Sequence, residues 1–132
     1  MDHAKACGDL GIAPDAKAWE RGRLEGLKTY CQPESAYQVG RSGGDIRNVC
    51  SAPQRQAMQP AFAWGQNYYQ ISVKIQSLEQ QVSDLRAEIS AEIKANSGTP
   101  PADVFFLQTD IFDLNIRIRQ LEQNQRRYAR WP

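Results

Sequence analysis

The chain has 132 residues, 16 Lys and Arg against 15 Asp and Glu, and 41% hydrophobic residues, with a mean hydropathy of −0.62. Charge is even along its length: residues 1–60 carry eight basic and seven acidic side chains, and residues 61–132 carry eight of each. This excludes a basic arm or an acidic tail as a nucleic-acid or anionic-membrane element, and the lack of an apolar run of about 18 residues excludes a transmembrane helix.

The first ten residues, MDHAKACGDL, have no apolar signal core. Met1 is therefore read as an initiator placed where a longer natural chain was cut. Residues 1–60 are rich in Gly, Cys and Pro, whereas the remainder holds few of these outside NSGTPP at 96–101. The expectation is an all-α protein: a small Gly/Cys/aromatic helical module over 1–60, then a long coiled-coil-like antiparallel helical hairpin over 61–132, packed on it.

A short pattern recurs three times: AWERGR at 18–23, AYQVGR at 36–41 and AFAWGQ at 61–66. Each reads Ala, aromatic, two residues, Gly, then a long polar side chain. Each follows a helix-start signal: Pro14-Asp15, Pro33-Glu34-Ser35 and Pro60. Glycine inside a helix costs roughly 1 kcal/mol against alanine, so its presence needs a reason. Aromatic and glycine stand three apart and share a helix face. Gly22 with Gly26, and Gly40 with Gly44, would extend that face into a stripe, with Gly65 in the third copy. Such stripes admit a neighbouring backbone and leave a groove for a ring. No strand candidate precedes these glycines, so a phosphate-binding loop is not expected.

Cys7, Cys31 and Cys50 are the only cysteines, and His3 is the only histidine. A Cys3His zinc site normally includes one close cysteine pair, which this chain lacks. No metal and no cofactor is expected. A thiol enzyme would need a base beside its nucleophile, and His3 lies in a terminus. A small glycine-rich module with little core more often uses disulfides. Cys31–Cys50 is the preferred bridge, with Cys7 left free or paired elsewhere. Three reduced thiols remain the alternative.

Two heptad seams occupy the remainder. Ile71, Ile75, Leu78, Val82, Leu85 and Ile89 alternate spacings of four and three, and so do Val104, Leu107, Ile111, Leu114, Ile118 and Leu121. Folding the chain back at Gly98 brings together positions equidistant from it. Leu78 then faces Ile118, Val82 faces Leu114, Leu85 faces Ile111, Ile89 faces Leu107, Ile75 faces Leu121 and Tyr68 faces Tyr128. Only Ile71 mismatches, meeting Gln125. Asn96 and Gly98 suit a helix end, and Thr99-Pro100 a cap and first turn. Each arm is expected to run about 30 residues, roughly 45 Å. Phe105, Phe106, Phe112 and Ile116 lie beside the second seam. They either cover the tip and module or form a further interface, for instance in a homodimeric four-helix bundle.

The stretch from Cys7 to Cys50 followed by FAWGQNYY carries a recognisable frame: GIAPD, aromatic-x-x-Gly-Arg-x-x-Gly-Leu, Tyr30-Cys31, Tyr37-x-x-Gly40, Cys50 and the third aromatic-glycine element. Over residues 7 to 80 it resembles the bacterial family called domain of unknown function 2799, whose members look like envelope lipoproteins. That resemblance implies a periplasmic or cell-envelope address, with the signal peptide and any lipidated cysteine lying outside this chain. It also implies an oxidising compartment, which supports Cys31–Cys50, and it implies no activity.

Three functional readings follow. The first is a non-catalytic envelope protein whose hairpin serves self-association or partner binding. The second is a binder of a sugar, peptide or small molecule, or an enzyme, using an aromatic cleft at the hairpin base. That cleft would be built from Trp19, Tyr30, Tyr37, Trp64, Tyr68 and Tyr128, with Arg23 and Arg41 at its rim. A plain hydrophobic core accounts for the same aromatics, and no carboxylate pair or triad stands out. The third is nucleic-acid binding by the five arginines of residues 117–131, but a basic helix end more simply complements the helix dipole. The first reading is favoured, with no catalytic residue.

Overall fold

The structure is a computed structural model that describes residues 15–132. Within them lie four helices and no strand: α1 (Ala16–Tyr30), α2 (Pro33–Arg41), α3 (Ala52–Ala95) and α4 (Ala102–Arg126). Cys7 and His3 fall outside the described residues. The all-α class and the fold-back are as expected, and among the described residues no helix is long and apolar enough to cross a membrane.

The helix starts follow local chemistry. Asp15 caps α1, its Oδ1 accepting from Ala18 N at 3.0 Å. Pro33 occupies the first turn of α2, where its missing N–H is no loss. The third start differs from the expectation. The long helix begins at Ala52, not at Pro60, and Pro60 lies inside it. Ser51 and Gln54 form a reciprocal capping box there, Ser51 N donating to Gln54 Oε1 at 2.8 Å and Gln54 N to Ser51 Oγ at 3.3 Å. An interior proline costs a helix about 3 kcal/mol. It is tolerated because Met58, Ala61 and Phe62 around it are buried in the core. α3 therefore reaches 44 residues, roughly 66 Å, well beyond the expected arm.

α2 crosses α3 through the second and third copies of the repeat. A Cβ added to Gly40 would collide with the Phe62 carbonyl oxygen and lie 3.0 Å from Gln66 N. One added to Gly65 would collide with the Tyr37 carbonyl oxygen and lie 2.7 Å from Arg41 N. The contacts are reciprocal: each glycine sits on the carbonyl of the other's aromatic and beside the amide of the residue after the other's glycine. The two repeats thus form a local pseudo-two-fold. Ala36 and Ala61, preceding the aromatics, are 0% exposed, and Tyr37 is 1% exposed. The core continues through Met58, Phe62, Cys31 and Cys50, with Tyr30, Val39, Ile46, Trp64 and Trp131 packed around it.

The first copy behaves otherwise. None of α1 is buried. Among the described residues nothing lies within 4 Å of a Cβ added at Gly22 or Gly26. The close approach expected there is not found, because α1 meets the rest of the fold at its C-terminal end. Ser35 Oγ donates to Thr29 O at 2.7 Å, and Arg47 N donates to Tyr30 Oη at 2.7 Å. The Cys31–Cys50 disulfide ties that end to the start of α3. Gly44 also departs from the helical stripe expected with Gly40. α2 ends at Arg41, and Gly43 turns the chain with φ +81°, so Gly44 lies in the following loop, against Val39.

The hairpin closes where anticipated. Gly98 N donates to Ile93 O at 2.9 Å with Gly98 at φ +85°, the left-handed ending that favours glycine. Thr99 does not cap α4; Pro101 holds that position with no side-chain cap. Ile71, Ile75, Val82, Val104 and Leu114 are buried between the arms. Leu78, Leu85, Ile89, Leu107, Ile111, Ile118 and Leu121 are half-buried, because two helices alone cover only one side of each seam. At the mismatched layer, Gln125 Nε2 donates to Tyr68 O at 3.1 Å and to Ser72 Oγ at 2.5 Å.

Two outcomes test this account by chemical denaturation. Gly40→Ala and Gly65→Ala should each cost about 1–3 kcal/mol or more, since backbone must move to admit the methyl, whereas Gly22→Ala should add up to about 1 kcal/mol of stability from helix propensity. Reducing the disulfide, which closes a separation of 19 residues, should cost about 3 kcal/mol in the chain-entropy account; an unchanged midpoint would refute its structural role.

Candidate functional site

α2 and α3 carry the aromatic group at the hairpin base, and the returning end of α4 is received there. Tyr37 Oη donates to the Tyr128 carbonyl at 2.5 Å. Arg41 Nη1 donates to the Ala129 carbonyl at 2.7 Å and to Tyr37 Oη at 3.2 Å. Its guanidinium lies 4.0 Å from the Tyr68 ring centroid. The hydrogen bond to Tyr37 raises the Arg41 pKa further and keeps the group cationic. Trp64 Nε1 donates to the Arg130 carbonyl at 2.8 Å. The Trp64 ring packs edge-on against Tyr128 at 4.7 Å and Trp131 at 6.2 Å.

Three consecutive carbonyls, those of Tyr128, Ala129 and Arg130, are thus claimed by three side chains from α2 and α3. These carbonyls follow the end of α4 and have no helical partner ahead of them. The arrangement is a clasp for the chain's own C-terminal turn. The structure brings together Tyr37, Arg41, Trp64, Tyr68 and Tyr128 from the expected cleft, and the polar ends of Tyr37, Arg41 and Trp64 are turned inward on this turn. Trp19 and Arg23 lie away from it on α1, where Arg23 pairs with Glu20 at 2.6 Å and holds that carboxyl below its usual range through the hydrogen bond. Tyr30, at the end of α1, packs against the core and its Oη accepts from the Arg47 amide. Among the described residues, no group of three His, Cys, Asp or Glu gathers that could hold a metal.

The more open surfaces lie on the hairpin. Phe105, Phe106, Phe112 and Ile116 on α4 are 68%, 64%, 65% and 37% exposed, with Phe105 and Phe106 edge-to-face at 5.8 Å. Along one face run two adjoining grooves. One, about 500 Å³, is lined by Lys74, Leu78, Arg117 and Leu121 among others. The next, about 490 Å³, is lined by Asp84, Leu85, Glu88, Asp110, Asp113 and again Arg117. In the linear sequence Gln81 and Arg117 read as part of a plain solvated face flanking the seam, and the acids Asp84, Glu88, Asp110 and Asp113 do not stand out. The residues of this charged rim flank the heptad seams, where charge is common and says little until two helices are set side by side.

A family model described as "Protein of unknown function (DUF2799)" matches residues 1–67. The chain belongs to this family. No curated protein and no solved structure matches it. The DUF2799 match takes in α1, the disulfide, the α2–α3 crossing and Trp64. It ends before the two arms pair, short of the extent to residue 80 that the resemblance had implied. The DUF2799 segment is therefore the clasp's platform, and the hairpin is what it holds.

The clasp makes a direct prediction. Arg41→Ala should destabilise by about 2 kcal/mol, the usual cost of losing a charged hydrogen bond to a carbonyl, and should speed proteolysis after Arg126 or Arg127. Arg23→Ala should leave both measurements close to wild type. Equal proteolysis of the two variants would show that the clasp does not hold the end.

Proposed function

We propose that this DUF2799 protein is a non-catalytic component of the bacterial cell envelope, in which a disulfide-stapled platform holds out a helical hairpin as a docking surface for other protein. The observation carrying this reading is the outer surface of α4. Three large apolar side chains, Phe105, Phe112 and Ile116, stand exposed on one side of α4 over three turns, with Phe106 edge-on to Phe105, on a chain of negative mean hydropathy. Scattered apolar residues on a surface are ordinary, whereas a contiguous patch on a rigid element marks a contact. The Cys31–Cys50 bridge supports an oxidising compartment outside the cytoplasm, and the lipoprotein-like nature of the family is part of the same proposal. The aromatic clasp supports a structural role for the base, since its donors are engaged with the chain's own carbonyls.

The test uses a photo-crosslinking residue placed in turn at Phe105, Phe112 and, as a control, Lys28 on α1, in cells carrying the protein. Position-specific adducts are expected from Phe105 and Phe112 but not from Lys28. With the photo-crosslinking residue placed instead at Phe106, Phe105→Glu combined with Phe112→Glu should abolish its adduct while changing stability by no more than about 0.5 kcal/mol, as for other exposed sites. Adducts equal to the Lys28 background would end this reading.

A further inference from the structure

The groove face of the hairpin has a charge order that the phenylalanine face lacks. From base to tip α3 presents Lys74, Leu78, Gln81, Asp84, Leu85 and Glu88 to the grooves. On α4, Arg117 lies just baseward of Gln81, while Asp113 and Asp110 lie level with Asp84 and beyond, by the equidistance from Gly98 that the arms obey. Gln81 therefore divides the face. Its base side is cationic, with Lys74 and Arg117; its tip side is anionic, with Asp84, Asp113, Asp110 and Glu88. The ion pairs among the described residues are Arg23–Glu20 and Lys28–Glu25, both on α1. The six groove charges are consequently not paired with one another.

We infer that this face docks a second copy of the chain, antiparallel, about a two-fold axis at Gln81. The inference rests on reading the hairpin as a docking element and adds the partner and the geometry. Such an axis exchanges positions equally far to either side of Gln81. Lys74 and Glu88 are each seven residues away, roughly 10 Å, so each lysine meets the other copy's glutamate. Arg117 meets the other copy's Asp84 and Asp113. Leu78 and Leu85, three and four residues away, meet each other across the axis and complete the half-buried seams as the inner layer of a four-helix bundle. The parallel alternative stacks the four carboxylates of one copy on those of the other and is disfavoured by like-charge repulsion. From Lys74 to Glu88 the face is roughly 21 Å long and two helices wide. That is on the order of 400 Å² per copy, about 800 Å² in total and below the range of stable specific interfaces, so the dimer is a weak one that forms and dissociates with concentration and weakens with salt.

Sedimentation over a concentration series tests it with two charge variants. Lys74→Glu with Arg117→Glu makes the face wholly anionic, and Glu88→Lys with Asp113→Arg makes it predominantly cationic. Each variant alone should be monomeric where the wild type dimerises, and their mixture should restore a dimer containing one of each. In a Cys7→Ser background, Gln81→Cys should cross-link to itself under mild oxidation, whereas Glu88→Cys should link only to a chain carrying Lys74→Cys. A wild type that stays monomeric at the highest concentration reached, or Glu88→Cys chains that link to themselves, would overturn the antiparallel dimer. Phe112→Glu should leave dimerisation intact, so failure here and failure of the envelope docking reading are separable.

Discussion

Everything in this protein depends on how closely α2 can approach α3. The approach is set by two hydrogen atoms, the ones that stand where Gly40 and Gly65 would otherwise carry a methyl. Because each glycine rests on a carbonyl of the opposite helix, the two backbones meet without intervening side chains. The rings and aliphatic groups that would have separated them are displaced to the flanks, where Tyr37, Met58 and Phe62 pack as the core. The helical cost of each glycine, about 1 kcal/mol, is offset by that packing. The interior proline at position 60 is accommodated by the same buried surroundings.

The crossing then determines where the hairpin ends. It places Tyr37, Arg41 and Trp64 side by side, each with a donor turned toward the returning chain. A long two-helix hairpin gains little from burial, since about half its seam residues keep solvent contact. Pinning its far end to a stapled core restores part of what burial does not supply. The disulfide completes the platform by fixing the end of α1 to the start of α3. The family match coincides with this platform, so the frame of glycines, aromatics and cysteines describes a base, and the hairpin beyond it presents two different faces. One is apolar and lies on α4 alone; the other is a groove of ordered charge shared by both arms.

At the base, Tyr37, Arg41 and Trp64 direct their donors to the chain's own carbonyls. The hairpin exposes phenylalanines and charges outside the ion pairs found among the described residues, Asp84 accepting from Gln80.

Much of this was legible in the residues. The mirrored heptads about Gly98 prescribed an antiparallel hairpin, because side chains three and four apart must share a helix face. The recurrence of Ala-aromatic-x-x-Gly marked close helix contacts, and the cysteine frame pointed to Cys31–Cys50. What the linear pattern could not assign was which copies of the repeat would meet. Gly22 stands in the same Ala-aromatic-x-x-Gly pattern as Gly40 and Gly65, yet among the described residues nothing lies within 4 Å of a Cβ added there. Likewise Pro60 reads as a helix start by itself, and only the buried surroundings of Met58, Ala61 and Phe62 keep the helix running through it. The clasp and the charged groove were hidden for a related reason. They join residues far apart in sequence, Arg41 with Ala129 and Asp84 with Asp113, and the linear order carries no information about such pairs until the arms are laid side by side. Local periodicity fixes which face of each helix is apolar; the packing of helices decides which polar groups become neighbours.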